Sequence, residues 1–185
     1  VTPEQVWTDL TEYMANFGYV VTGQEAASGG DLVVSDVVMS FPMAEVDPEG
    51  ALTISMESLT FTDNGDGTVT VTFPPVMPID MSFVPEGEDE RVDMVIEYTH
   101  EGLNMVVSGE AEAMTYDYAA TMLGLRLAGL MVDDEVISRD MARVDVTMGP
   151  VEGRTEMATE DGMRAMAQVF SLGDLSYDMA FNDPE

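Results

Sequence analysis

The chain has 185 residues, no lysine, no cysteine, six arginines and 36 acidic residues, which sum to a formal net charge of -30 at pH 7. That charge argues against nucleic acid and anionic lipid headgroups as partners, because like signs repel and the arginines (Arg91, Arg126, Arg139, Arg143, Arg154, Arg164) stand singly rather than in a basic stripe. At 45% hydrophobic residues the chain is still too apolar for a disordered acidic tail, so the carboxylates must coat a core.

The first predicted element is a helix. Thr2, Pro3 and Gln5 supply an N-cap, a first-turn proline and a capping-box partner; Val6, Leu10, Met14 and Phe17 recur at helical spacing, Trp7 and Tyr13 widen the face, and Gly18 stops the run. From Tyr19 the period changes to two. Leu32 to Phe41, Ala51 to Phe61, Thr68 to Phe73 and Met77 to Phe83 read as consecutive strands of an antiparallel meander. Val92, Met94, Ile96 and Tyr98 alternate with Asp93, Val95, Glu97 and Thr99, and His100-Glu101-Gly102 is expected to turn a hairpin into Leu103, Met105 and Val107. Met114, Tyr116, Tyr118 and Ala120 share one parity and Leu123, Leu125 and Leu127 the other, which requires a bulge or turn near Thr121 and Met122. Met141 to Met148 and Val151 to Ala158 read as a strand pair about Gly149-Pro150. Glu160 to Phe170, capped by Thr159, reads as a second short helix through Met163, Met166, Ala167 and Phe170. Leu175, Tyr177, Met179 and Phe181 read as a last strand, followed by turn chemistry at Asn182-Asp183-Pro184-Glu185.

The length suits a single β-rich domain over residues 1–185, and the final turn leaves open that this is the N-terminal part of a longer chain. The fold class expected is α+β, mainly β: a long curved antiparallel meander or half-open barrel with both helices on one side. Val1 in place of Met and the absence of cysteine point to an exported chain with its signal peptide removed, hence a periplasmic location. No transmembrane segment is expected, since the longest apolar stretch, Ala119 to Val132, is too short and contains Arg126.

A resemblance supports the compartment. The opening Val1-Thr2-Pro3-Glu4-Gln5-Val6-Trp7, the stretch Gly30-Asp31-Leu32-Val33-Val34-Ser35-Asp36-Val37, the turn Gly65-Asp66-Gly67-Thr68-Val69 and the Pro-rich strand Pro75 to Phe83 resemble the family known as domain of unknown function 2125, exported alphaproteobacterial proteins. The resemblance implies a periplasmic or outer-membrane-facing β-rich protein with a cleaved signal peptide, and brings no catalytic residue with it.

No catalytic constellation is present in the sequence, and the chain reads as a non-enzyme without cofactor or metal. With one histidine, no lysine and no cysteine, the usual activated nucleophile pairs are unavailable, and His100 falls in the expected hairpin turn. Asp63-Asn64-Gly65-Asp66-Gly67-Thr68 superficially resembles a calcium loop. Its register puts Thr62 first and Phe73 twelfth, so it reads as a hairpin turn. The acidic clusters Glu86 to Glu90 and Asp133 to Glu135 read as solvated loops. The 17 methionines follow sheet faces rather than a copper-binding cluster. Soft side chains on a concave sheet suit an acyl chain, and Met77, Met81, Met94, Met105, Met114, Tyr116 and Tyr118 are the expected groove lining. The leading function is a periplasmic binding protein for an apolar small molecule or lipid. The rival is a cell-envelope structural or assembly component, calcium-responsive through its acidic surface, that meets an envelope protein partner along the edge strand Leu175 to Phe181.

Overall fold

The computed structural model describes residues 1–160 and 163–182. It contains α1 (Pro3–Asn16) and the strands β1 (Val20–Ser28), β2 (Asp31–Pro42), β3 (Ala51–Asp63), β4 (Val69–Thr72), β5 (Val76–Phe83), β6 (Val92–Glu101), β7 (Asn104–Glu110), β8 (Ala113–Ala120), β9 (Met122–Val132), β10 (Glu135–Val136), β11 (Ala142–Glu160) and β12 (Met163–Phe181). The capping box forms as the sequence requires: Gln5 N donates to Thr2 Oγ1 at 3.3 Å and Thr2 N donates to Gln5 Oε1 at 2.9 Å. Such a cap contributes about 1 kcal/mol. Gly18, at φ +87°, takes the chain out of the helix into β1. Val6 and Trp7 are buried, Leu10 and Met14 pack beside them, and Phe17 lies outside this face, 56% exposed.

All twelve strands belong to one antiparallel sheet. Its pairings return on themselves through β3, β4, β7, β8, β11, β9, β6, β5 and back to β3. The registers explain this ring. β4 and β5 are two halves of one run against β3; β6 and β7 are two halves of the next; β8 and β9 are halves of a third, and β11 lies along both of them. The architecture is thus a meander of eight long runs, each hydrogen-bonded to the run before it in sequence. β1 and β12 lie at its two ends.

The runs break at mid-length, and the breaks line up into a crease across the sheet. The β1–β2 register shifts at Gly23, close to Asp36, which adopts φ +51°. Next come the interruption between β4 and β5 at Phe73-Pro74-Pro75, that between β6 and β7 at Gly102-Leu103, and Thr121 between β8 and β9. The line continues through Gly149-Pro150 in β11, a cis peptide, and Gly173 in β12. Thr121 N donates to Glu101 O at 2.9 Å, and His100 Nε2 donates to Pro74 O at 2.9 Å, so polar groups freed by the breaks are partly re-paired across them.

At the crease the inward parity changes while the inward side does not. Leu32 and Val34 give way to Val37 and Met39 in β2, and Phe61 and Leu59 to Met56 in β3; all belong to one buried cluster. A Cβ on Gly23 would fall 2.5 Å from Val34 Cγ1 and 3.4 Å from Val37 Cγ2, so the valines on either side of the shift point the same way. Phe61, Leu32, Leu59, Val6, Val34, Val37, Val69 and Val107 are the largest fully buried side chains. Each stabilises the fold by about 2 kcal/mol relative to exposure.

Three expectations are corrected. His100-Glu101-Gly102 is no hairpin turn: His100 is half-buried in β6, and β7 continues the run past the break instead of folding back on β6. Met141 to Met148 and Val151 to Ala158 are not a pair about Gly149-Pro150 but the two halves of β11. The second helix is replaced by β12 from Met163 onward, residues 161 and 162 lying outside the described residues. Its Met166 and Phe170 are four apart, a spacing that fits a period of two as well as a helix, and β11 offers a register partner to every residue from Met163 to Phe181 except Gly173. Among the described residues one helix therefore packs on the sheet, and no described helix is long and apolar enough to cross a membrane.

The crease needs glycine where runs touch. A Cβ on Gly149 would lie 2.3 Å from Thr121 O, a backbone atom that cannot move aside. Gly149→Ala is expected to destabilise the fold by about 2 kcal/mol or more, measured by urea denaturation, with Gly65→Ala in the open β3–β4 turn as a strained but uncrowded comparison. Equal losses in the two variants would contradict the close approach.

Candidate apolar groove

The crease divides the apolar face of the sheet into two parts, and α1 covers only one. Beneath α1 lies a cavity of about 210 Å³. Val6, Leu10 and Tyr13 of the helix roof it; Phe61, Val71, Met105, Tyr116 and Tyr118 form its floor; Thr155, Met157, Met166 and Gln168 of β11 and β12 close one side. Alternation along each strand sends these side chains inward, and cross-strand register brings them together: Met114, Tyr116 and Tyr118 stand opposite Met157, Thr155 and Gly153. Gly153 leaves room there for the Tyr118 ring, whose Cζ would be 2.3 Å from an added Cβ.

The polar groups at this cavity pair with one another. Arg164 forms an ion pair with Asp9, their side chains 18% and 13% exposed. The guanidinium sits 5.6 Å from the centroid of the Tyr13 ring and 3.3 Å from Met157 Sδ. Tyr116 OH donates to Asp9 Oδ2, and Gln168 Nε2 donates to Tyr118 OH at 3.0 Å. Arg164 Nε is buried with no partner among the described residues. Burial, and then the hydrogen bond to Asp9 and its negative charge, push the Tyr116 phenol far above the ordinary tyrosine range, with Arg164 opposing them.

On the other side of the crease the apolar face is bare. Met94 and Ile96 of β6, Leu125, Leu127 and Leu130 of β9, Val144 and Val146 of β11 and Phe181 of β12 line a second hollow of about 320 Å³, with Arg126 at its margin. Arg126 pairs with Glu97. Apart from Leu127 these apolar residues are half-buried or exposed, because no described helix lies over them.

The structure distributes the expected lining residues over both parts. Met105, Tyr116 and Tyr118 line the cavity under α1, and Met94 lines the open hollow. Met81 stands opposite Met94, and Met77, opposite Tyr98, packs against the buried core. Met114 is buried in that core, 3.6 Å from Tyr116 OH, and lines neither apolar hollow. The sequence reading missed Leu10 and Tyr13 on the helix, and Leu125, Leu127, Val144, Val146 and Phe181 on the second half. Their parity was visible strand by strand, but nothing in a single strand says that its apolar side joins that of the next run beyond a break.

No family model matches the chain, and no match was found among curated proteins or solved structures.

A raised phenol constrains alkaline behaviour. The folded state keeps the Tyr116 proton where the unfolded chain loses it, so this group's contribution is full below about pH 10 and is lost as pH rises above it. In a spectrophotometric titration of the folded protein, Tyr116→Phe is expected to ionise as many phenols as the unsubstituted chain up to the onset of unfolding. One phenol fewer in the variant over that range would contradict the assignment.

Proposed function

We propose that the protein is a non-enzymatic, periplasmic binding protein that holds an apolar tail, such as a lipid acyl chain, along the concave face of its sheet. The observation that carries this reading is the uncovered half of a continuous apolar face: an antiparallel sheet that turns one side to water places polar residues there, and this one places Met94, Ile96, Leu125, Val144 and Val146. The tail lies in the open hollow and extends past the crease toward the cavity under α1, where Met105, Met157 and Met166 adapt to its shape. The net charge of -30 disfavours an anionic headgroup at the mouth, so a neutral or zwitterionic lipid is the better fit. No chemistry is asked of the site: His100, the single histidine, donates to Pro74 O and serves the crease. The cysteine-free composition and the resemblance to the exported family support the periplasmic part of this reading.

Native mass spectrometry of the protein isolated from its own cells without detergent, before and after organic extraction, tests the proposal. Extra mass that extraction removes is expected, and Val146→Asp, which sets a charge in the open hollow, is expected to lower the retained fraction by about tenfold or more. A bare polypeptide mass in the unextracted sample would overturn the reading.

A further inference from the structure

Asp47 and Thr155 are the buried polar residues among the described ones. Asp47 is fully employed: it accepts from Glu49 N at 3.0 Å and from Val84 N at 3.0 Å, and it pairs with Arg91. Thr155 is not. It is 7% exposed, it lines the cavity under α1, and its hydroxyl makes no hydrogen bond to any described residue. A buried hydroxyl left unmet costs about 1–3 kcal/mol, and a valine of the same shape would fill the position without that cost.

A second hydroxyl stands beside it. Tyr118 crosses over Gly153, two residues before Thr155 on the same face of β11, where an added Cβ would collide with the phenol Cζ and OH. Gln168, the register mate of Thr155, donates to Tyr118 OH at 3.0 Å, which draws the phenol toward the Thr155 row and leaves its own proton free to donate. Two residues along a strand span about 6.6 Å, and one oxygen held at about 2.8 Å from each of two hydroxyls bridges about 5.5 Å, so a single ligand oxygen can reach both. The charges nearby are already matched. Asp9 lines the same cavity, and its two oxygens are taken by Arg164 and Tyr116. A ligand carboxylate would be set against Asp9 and a ligand ammonium against Arg164, with no free countercharge for either.

We propose that the cavity under α1 is a subsite for a neutral oxygen, a hydroxyl or carbonyl carried by an otherwise apolar molecule, with Thr155 and Tyr118 as its hydrogen-bonding partners. The hydrocarbon around that oxygen meets Val6, Leu10, Phe61 and Met157. A cavity of about 150 Å³ accepts benzene, so one of about 210 Å³ takes a molecule, or a segment of a longer one, of roughly six to eight carbon atoms. The inference refines the proposed function and rests on that reading for the tail that leads here across the crease, but the subsite itself is tested without a tail.

The probes are compact: cyclohexanol, cyclohexanone, methylcyclohexane and cyclohexanecarboxylate. Binding to the whole protein is read from carbon-13 methyl signals of its methionines, with Met105, Met157 and Met166 reporting the cavity and Met94 the open hollow. A cavity that is only apolar prefers methylcyclohexane, because an oxygen gives up its water there and gains nothing. The reverse order is expected here: saturable shifts at the cavity methionines, the alcohol or the ketone at least about tenfold tighter than methylcyclohexane, and no binding of the carboxylate. The alcohol ahead of the ketone supports a hydroxyl on the ligand, and the ketone ahead of the alcohol a carbonyl. Thr155→Val combined with Tyr118→Phe, which removes both oxygens at nearly constant shape, is expected to erase the preference while the methionine spectrum stays that of the folded protein. The proposal is overturned by methylcyclohexane binding as tightly as the oxygenated probes, by shifts confined to Met94, by tight binding of the carboxylate, or by no saturable shift. A bare polypeptide mass for the protein isolated from its cells, together with a preserved preference for the alcohol or ketone, would overturn the lipid reading and support the subsite.

Discussion

Where β8 passes into β9 at Thr121, β6 and β7 are interrupted at Gly102 on one side and β11 at Gly149-Pro150 on the other, and this shared break constrains the whole sheet. Runs of this length accumulate twist, and an unbroken meander of them would carry its apolar side around with the strands. A local change of parity, made in every run at the same level, turns the backbone over while its apolar side chains stay on one side. The cost is borne at a few residues: Asp36 adopts φ +51°, Gly102 adopts φ +62°, and Gly149 approaches Thr121 O too closely for any side chain. The break must be shared because each run templates the next. A strand that failed to break would present polar residues to its neighbour's apolar side.

That constraint sets the site. Because the apolar side is continuous, the sheet offers one long apolar surface, while α1, at 14 residues, covers only the part before the crease. The buried core forms where the helix sits, and a half-open hollow remains where it does not. The acidic surface surrounds both, and its arginines are consumed in local pairs such as Arg154 with Asp117 and Arg143 with Asp178, exposed contacts of small energetic weight. This combination is what the proposal of an apolar tail rests on.

The meander was legible because period-two alternation is local. Leu32 to Phe41, Ala51 to Phe61 and Met77 to Phe83 fall within β2, β3 and β5, and the parity change between Ala120 and Leu123 announced a break at Thr121. The helix was legible from Thr2, Pro3 and Gln5 for the same reason. The meaning of the breaks was not. Glycine and proline mark hairpin turns and mid-strand creases alike, so His100-Glu101-Gly102 and Gly149-Pro150 read as chain reversals when only long-range pairing shows that the chain runs on. Spacing at Met166 and Phe170 served helix and strand equally, and the ladder with β11 decided it. For the groove, methionines at inward parity identified part of the surface; Leu125, Val146 and Phe181 needed the register between runs, which no single segment contains.

Trp7, the single tryptophan, lies with its ring centroid 5.9 Å from that of Phe61 on the cavity floor, which makes it a reporter of whether an apolar chain reaches across the crease. The decisive measurement is its fluorescence during titration with a neutral lipid brominated near the end of one acyl chain. One continuous face shared by both halves requires saturable quenching of Trp7, and requires Val146→Asp, on the far side of the crease, to weaken it. Lipid retained by the protein with Trp7 emission unchanged would contradict the account, because it would place the chain outside the face that the crease holds together.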